Sequence, residues 1–359
     1  MFSRRSIKEI CSLSAALGVA AAVFLSGAIT GAAQTAQSKL FDFQGNNRTS
    51  FITLATTSTG AIRWKITGNP ASAAPNAAFK REFDYGLNAS DTIVVGDYTG
   101  DAKSEVAVFR GTTTSAQGFF YIAQFPTGTG GITLERAVPF GNGLTDIAGV
   151  QGDYDGDGKA DYTVVRVNSS STLVWYIMSS ATGTMRAINF GTTLGLPNAD
   201  DAATVFPGAD FNGDGRDELI YVIRNAAGTQ VTYFIGDANT GAGLMTRNFG
   251  NFNSDFSLPP DDYTGDGRAD FVAVRQSLGT QQVWYIQDSQ TNTVTGTSFG
   301  IPNSDFPVRG DYDGDNRHDV AVWRGNNQTF YYISSQNGSI QSQKSGDPGD
   351  RPLGFLGAY

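Results

Sequence analysis

An acidic nine-residue segment returns six times along this chain, starting at Asp42, Asp97, Asp153, Asp210, Asp262 and Asp311, so that successive copies stand 55, 56, 57, 52 and 49 residues apart. The clearest copies read DYDGDGKAD, DYTGDGRAD and DYDGDNRHD. Recurrence at this spacing marks a supersecondary unit that cannot bury its own apolar face, so the fold must be an assembly of repeats such as a propeller or solenoid. Oxygen-bearing side chains at alternate positions, with glycine where the chain turns sharply, are what a hard cation such as Ca²⁺ asks of a short loop.

The sequence between the acidic segments is also repeated. A β-branched run follows each well-formed copy: Val106–Phe109, Tyr162–Val165, Leu219–Ile223, Phe271–Val274 and Val320–Trp323, closed by Arg110, Arg166, Arg224, Arg275 and Arg324. A polar turn leads to an aromatic run (Phe119–Ile122, Val174–Ile177, Val231–Ile235, Val283–Ile286, Phe330–Ile333). A third run then ends in an aromatic–glycine pair: Tyr85-Gly86, Phe140-Gly141, Phe190-Gly191, Phe249-Gly250 and Phe299-Gly300. Short apolar runs bounded by Gly, Asn and Ser read as strands. With the segment that enters each acidic loop they make four antiparallel strands per repeat, the acidic loop lying between the first and second. That is one propeller blade, and the class is all-β. The 326 residues after position 33, divided by the mean period of 53.8, give 6.1 repeats, so six blades are expected, with seven as the alternative. The closing strand has two candidates, Leu353–Tyr359 and Lys39–Phe43.

Arg4, Arg5 and Lys8 precede an apolar stretch from about Leu13 to Ala28 and small residues at Gly31–Ala33, the layout of a secretory signal peptide cleaved near residues 33–36. Residues 34–359 are then read as a single propeller domain that is secreted, extracellular, surface-held or periplasmic. The one cysteine, Cys11, leaves with the signal. No later apolar run is long enough to span a bilayer, and no basic patch supports nucleic-acid binding. The charge of −9 becomes −11 on loss of residues 1–33. The 17 carboxylates at ligand positions of the five well-formed loops account for this excess, and five Ca²⁺ ions would bring the net to −1. A metal therefore explains the acidity better than a cationic partner does.

The DxDGDGxxD loop, the Val-rich strand after it and the Phe-Gly pair resemble FG-GAP (VCBS) repeats of the integrin α-subunit type, over about residues 40–345. The loop differs from an EF-hand in having no Glu at position 12. The resemblance implies a calcium-stabilised propeller used as an extracellular interaction surface. It also implies ligands at positions 1, 3, 5 and 9 with a carbonyl at position 7. These are Asp97, Thr99, Asp101, Lys103 and Glu105; Asp153, Asp155, Asp157, Lys159 and Asp161; Asp210, Asn212, Asp214, Arg216 and Glu218; Asp262, Thr264, Asp266, Arg268 and Asp270; and Asp311, Asp313, Asp315, Arg317 and Asp319. The first copy, with Asp42, Gln44, Asn46 and Ser50, keeps one carboxylate and is expected to bind calcium poorly or not at all.

The aromatics at position 2 (Tyr98, Tyr154, Phe211, Tyr263, Tyr312) alternate with ligand positions and should point into the core. The pairs Trp175-Tyr176 and Trp284-Tyr285 should divide one ring inward and the other outward. The single histidine, His318, is read as a solvated loop residue; no GxSxG element is evident, and His-dependent triads or zinc sites are taken as excluded by count. No catalytic constellation stands out, so the chain is expected to be a monomeric, non-enzymatic module for a glycan, a protein or a cell surface. Its specificity would lie in variable turns such as Thr112–Gln117, Asn168–Thr172 and Thr192–Ala203. A propeller-type polysaccharide lyase or hydrolase using a carboxylate pair is the alternative, and a purely structural surface component is a third reading.

Overall fold

In a computed structural model the chain is described over residues 41–69, 79–111, 116–125, 132–193, 204–224, 230–251, 254–276 and 279–355. The signal-like segment lies outside these residues, as do most of the turns 112–117 and 192–203. No described helix is long and apolar enough to cross a membrane.

The β-branched and aromatic runs all become strands. The first sheet holds β1 (Phe51–Thr56), β2 (Ala61–Thr67) and β3 (Lys80–Leu87); the second holds β4 (Asp91–Ile93), β5 (Val106–Arg110), β6 (Gln117–Gln124) and β7 (Thr133–Asn142). The third holds β8 (Tyr162–Val167), β9 (Thr172–Met178) and β10 (Met185–Thr192), and the fourth β11 (Thr204–Ala209), β12 (Glu218–Arg224), β13 (Val231–Gly236) and β14 (Gly243–Asn248). The fifth holds β15 (Asp255–Ser257), β16 (Phe271–Arg275), β17 (Val283–Gln287) and β18 (Val294–Ser298), and the sixth β19 (Asp305–Val308), β20 (Val320–Arg324), β21 (Thr329–Ile333) and β22 (Ile340–Lys344). Every pairing is antiparallel and follows chain order, apart from the closure. There β23 (Arg351–Pro352) returns to β1 with Thr53 opposite Pro352 and Leu54 opposite Arg351.

This is a six-bladed propeller, so the seven-bladed alternative falls away. The C-terminal end supplies the closing strand, although the pairing residues lie just before the Leu353–Tyr359 segment expected to do so. Leu353–Phe355 form a 3₁₀ turn, residues 356–359 lie outside the described part, and residues 41–43 are irregular. Blade three departs from the four-strand expectation. Its first strand shrinks to a single bridge between Ile147 and Val165.

Strand alternation explains why the blades associate. Adjacent residues of one strand face opposite neighbours: Val164 packs with Val94, Phe109 and Phe120 of the second blade, and Val165 with Leu219 and Tyr221 of the fourth. Each of six apolar clusters straddles two successive blades, the last joining Trp323 and Phe330 of the sixth to Phe51 of the first. A blade alone would leave both faces wet, so only the closed circle buries them all. The glycine of the aromatic–glycine pair sits where each outer strand leaves for the next blade. Gly141 has φ +78°, and a Cβ there would lie 3.1 Å from Val164 of the following blade.

The arginines that close the second strands have partners the sequence did not reveal. Arg110, Arg166, Arg275 and Arg324 each grip an aspartate at the start of the first strand (Asp91, Asp146, Asp255, Asp305) with two hydrogen bonds of 2.5–3.0 Å. The same carboxylates accept the N–H of the residue after the aromatic–glycine pair: Leu87, Asn142, Asn251 and Ile301. Each guanidinium lies 4.7–5.1 Å from the ring centre of Tyr121, Tyr176, Tyr285 or Tyr331. In the first blade Ala55 stands at the arginine position, and Lys65 reaches Asp350 instead at 2.9 Å.

Candidate metal centres on a closed ring of loops

The six acidic loops share one conformation. The position 1 carboxylate accepts the N–H groups of positions 4 and 6, as Asp153 does from Gly156 at 2.7 Å and Gly158 at 2.8 Å. The same pair of bonds reaches Asp42, Asp97, Asp210, Asp262 and Asp311. Positions 4 and 6 take positive φ throughout. This explains glycine at position 4 and the choice of Gly or Asn at position 6, with Ala102 (φ +64°) the exception. Position 9 closes the loop: its N–H donates to the carbonyl before position 1, for example Asp161 to Gly152 at 2.8 Å. In the five well-formed loops its carboxylate accepts the N–H of position 2.

This geometry gathers ligand atoms. One carboxylate oxygen from each of Asp97, Asp101 and Glu105 lies within 4.8 Å of the others, and so do those of Asp153, Asp155 and Asp161, of Asp210, Asp214 and Glu218, and of Asp311, Asp313 and Asp315. Asp157 and Asp319 stand outside these triples, and Asp262, Asp266 and Asp270 are not gathered to the same degree among the described residues. Thr99 donates its hydroxyl to Glu105 at 3.2 Å, and the Asn212 amide donates to Glu218 at 2.6 Å. Asp315 is bound at 2.8 Å by Arg317.

Burial disfavours the anionic form of the carboxylates at positions 1 and 9. Burial, reinforced by neighbouring acids, pushes Glu105, Asp161 and Glu218 up to about 8, Asp270, Asp311 and Asp319 up to about 7, and Asp153 and Asp262 up to about 6. The backbone N–H bonds oppose that rise without cancelling it. Asp315 differs: the Arg317 guanidinium offsets its burial and holds it below its ordinary value. Hard oxygen donors converging in partly buried pockets with uncompensated charge fit Ca²⁺.

The loops are also tied to one another. The N–H of position 8 donates to the carbonyl of position 1 in the preceding loop: Ser104 to Asp42, Ala160 to Asp97, Asp217 to Asp153, Ala269 to Asp210, His318 to Asp262 and Thr49 to Asp311, at 2.6–2.9 Å. These six bonds close a circle. They place the loops, and hence the first strands that feed them, nearest the axis, and leave β14, β18 and β22 as exposed outer strands. Position 7 is Lys or Arg in all six loops (Arg48, Lys103, Lys159, Arg216, Arg268, Arg317), and its side chain lies over the position 4 glycine of the preceding loop. A Cβ on Gly100 would stand 2.8 Å from Lys159, and one on Gly156 2.9 Å from Arg216. Loop one, without the ligand set, is a full link: Lys103 covers Gly45, and Arg48 covers Gly314.

A family model for the FG-GAP-like repeat matches residues 153–221, from the start of one such loop, across a blade, into the strand after the next loop. The chain carries an FG-GAP-like repeat over these residues. No curated protein matches its sequence. Among solved structures it is similar to TolB from Acinetobacter baumannii at 18% identity, with 86% of this chain and 66% of that one covered and a TM-score of 0.48. It is similar at 12% identity to an exo-β-1,3-galactanase from Phanerochaete chrysosporium, with 81% and 66% covered and a TM-score of 0.36. The chain thus spans just under two thirds of the length of TolB, and its architecture rests on its own sheet order and ring of loops.

Within the FG-GAP-like repeats, the position 2 aromatics are buried, as expected. Trp175 and Trp284 are fully buried while Tyr176 and Tyr285 are half-buried beside their arginines. His318 corrects the sequence reading. It is buried, its Nε2 lies 3.2 Å from Asp261 and its ring meets Tyr263 edge-on, because position 8 points back into the preceding loop. The sequence reading also missed the side chain at position 7, although a basic residue there in six of six copies was a visible signal.

Proposed function

We propose that this FG-GAP-like propeller is an exported, calcium-loaded, non-enzymatic binding module for a glycan, a protein or a cell surface. The observation that carries the reading is the set of four carboxylate triples held at equivalent places on one hydrogen-bonded ring. Each triple, joined by the carbonyl of position 7, would hold one Ca²⁺, and the fifth loop would use Asp262, Asp266 and Asp270. The bound ion supplies counter-charge. Loop one links the ring without an ion.

The ions act on architecture, not on the partner. In an antiparallel sheet, turns between the first and second strands and between the third and fourth share one end. Consistent with this, Ser180, Ser289 and Ser335 of the latter turns donate N–H groups to Asp161, Asp270 and Asp319. Asn168–Thr172, between the second and third strands, lies at the opposite end, where Asn168 Oδ1 ties the turn through N–H groups of Ser170 and Thr172. The partner therefore meets the face away from the metals, on turns held in place by a stiffened ring. A glycan array and a pull-down from surface extracts, each run in calcium and in EDTA, test this. The reading expects capture that fades in EDTA, and silence in both assays overturns it.

A further inference from the structure

We infer that the five metal loops bind calcium as a coupled series, because the basic residue at position 7 of each loop is a positioning residue for the loop before it. This rests on the calcium reading above and extends it to side chains that ligate nothing.

The coupling follows from two contacts repeated at each junction. Residue 7 would offer its carbonyl to its own ion, while its aliphatic stem covers the position 4 glycine of the preceding loop, as Lys159 covers Gly100. Residue 8, next along the chain, donates its N–H to the position 1 carbonyl of that same preceding loop, as Ala160 does to Asp97 at 2.7 Å. An ion that fixes residues 7 and 8 of one loop thereby restrains the turn between the first and third ligands of its neighbour. Guanidinium heads extend the grip: Arg268 Nη1 donates to the Phe211 carbonyl at 3.3 Å and Arg48 Nη1 to the Tyr312 carbonyl at 3.2 Å, each at position 2 of the preceding loop. Such a coupling is reciprocal, so filling either loop of a pair favours the other.

The sign of one substitution separates positioning from charge. Lys159 places an ammonium-bearing chain beside the Asp97 loop, and removal of a cation from beside a carboxylate cluster strengthens cation binding. Lys159→Ala removes stem and charge together, whereas Lys159→Met keeps a stem and removes only the charge. Calcium titration of the full chain by calorimetry, compared across wild type and both variants, is the test. The wild type is expected to take up several ions with a cooperative isotherm. Lys159→Ala should bind the same number with roughly three- to tenfold weaker affinity at the affected site and a shallower isotherm, and Lys159→Met should match the wild type or bind more tightly. A Lys159→Ala isotherm that superimposes on the wild type, or is tighter, overturns the coupling and leaves the calcium reading standing. Absence of uptake by the wild type overturns both.

Discussion

The two ends of the propeller treat the same residue type in opposite ways. On one face Asp91, Asp146, Asp255 and Asp305 are fully buried and each is gripped by an arginine from the same blade. On the other, Asp153, Asp161, Glu105 and Glu218 are buried beside other acids, and burial favours their protonated forms over the anions. The first arrangement carries its counter-charge in the sequence. In the proposed calcium-loaded reading the second receives its counter-charge from outside, so one face should be indifferent to divalent ions and the other dependent on them.

Removing the ions should therefore produce the largest effect. With dissociation constants of ~0.1 mM and ~2 mM free calcium, each filled site stabilises the fold by about 1.8 kcal/mol, so four sites give about 7 kcal/mol. A thermal melt in EDTA should fall well below one in calcium. On the indifferent face, Arg275→Ala leaves Asp255 buried without its partner and should cost about 2–4 kcal/mol, by the same amount in calcium and in EDTA. Urea titration under both conditions checks that equality, and a loss that disappears in EDTA would erase the contrast between the faces. Asp155→Asn removes one ligand without touching the bonds Asp153 makes to Gly156 and Gly158. It should lower stability by about 1.8 kcal/mol in calcium and leave the melt in EDTA unchanged or slightly higher, because one charge leaves a crowded acidic cluster.

A pH titration in EDTA sharpens the comparison further. The carboxylates at positions 1 and 9 of the five well-formed loops have raised values in the folded chain, so the folded state holds protons that the unfolded state has released. Their favourable contribution is fully present below about pH 4 and is lost as pH rises through about 6 to 8, the range to which Asp153, Asp270 and Glu105 are pushed. The metal-free protein should thus melt higher at pH 5 than at pH 8. Calcium should reverse that order, since protons compete with the ion for the same oxygens.

Much of this was legible in the sequence because it follows from periodicity. The loops set the repeat, and strand alternation after each loop set the blade. The aromatic–glycine pair marked the crossing to the next blade. What escaped were features that join residues far apart in the chain. Asp255 and Arg275 are 20 residues apart on different strands, and the only local trace of the aspartate is its place five residues after Gly250. The burial of His318 follows from contact with Asp261, 57 residues earlier, across a blade boundary. Closure by Arg351 and Pro352 depends on a two-residue pairing with β1 that has no pattern of its own. The looser grouping of Asp262, Asp266 and Asp270 is invisible in a loop whose letters match the others.

The decisive measurement is the number of calcium ions held per chain by the purified protein, from equilibrium dialysis of the calcium-loaded form. Four or five ions per chain, released by EDTA, is the predicted result. A chain that retains none at millimolar calcium would contradict the claim that its buried aspartates are completed by cations from outside.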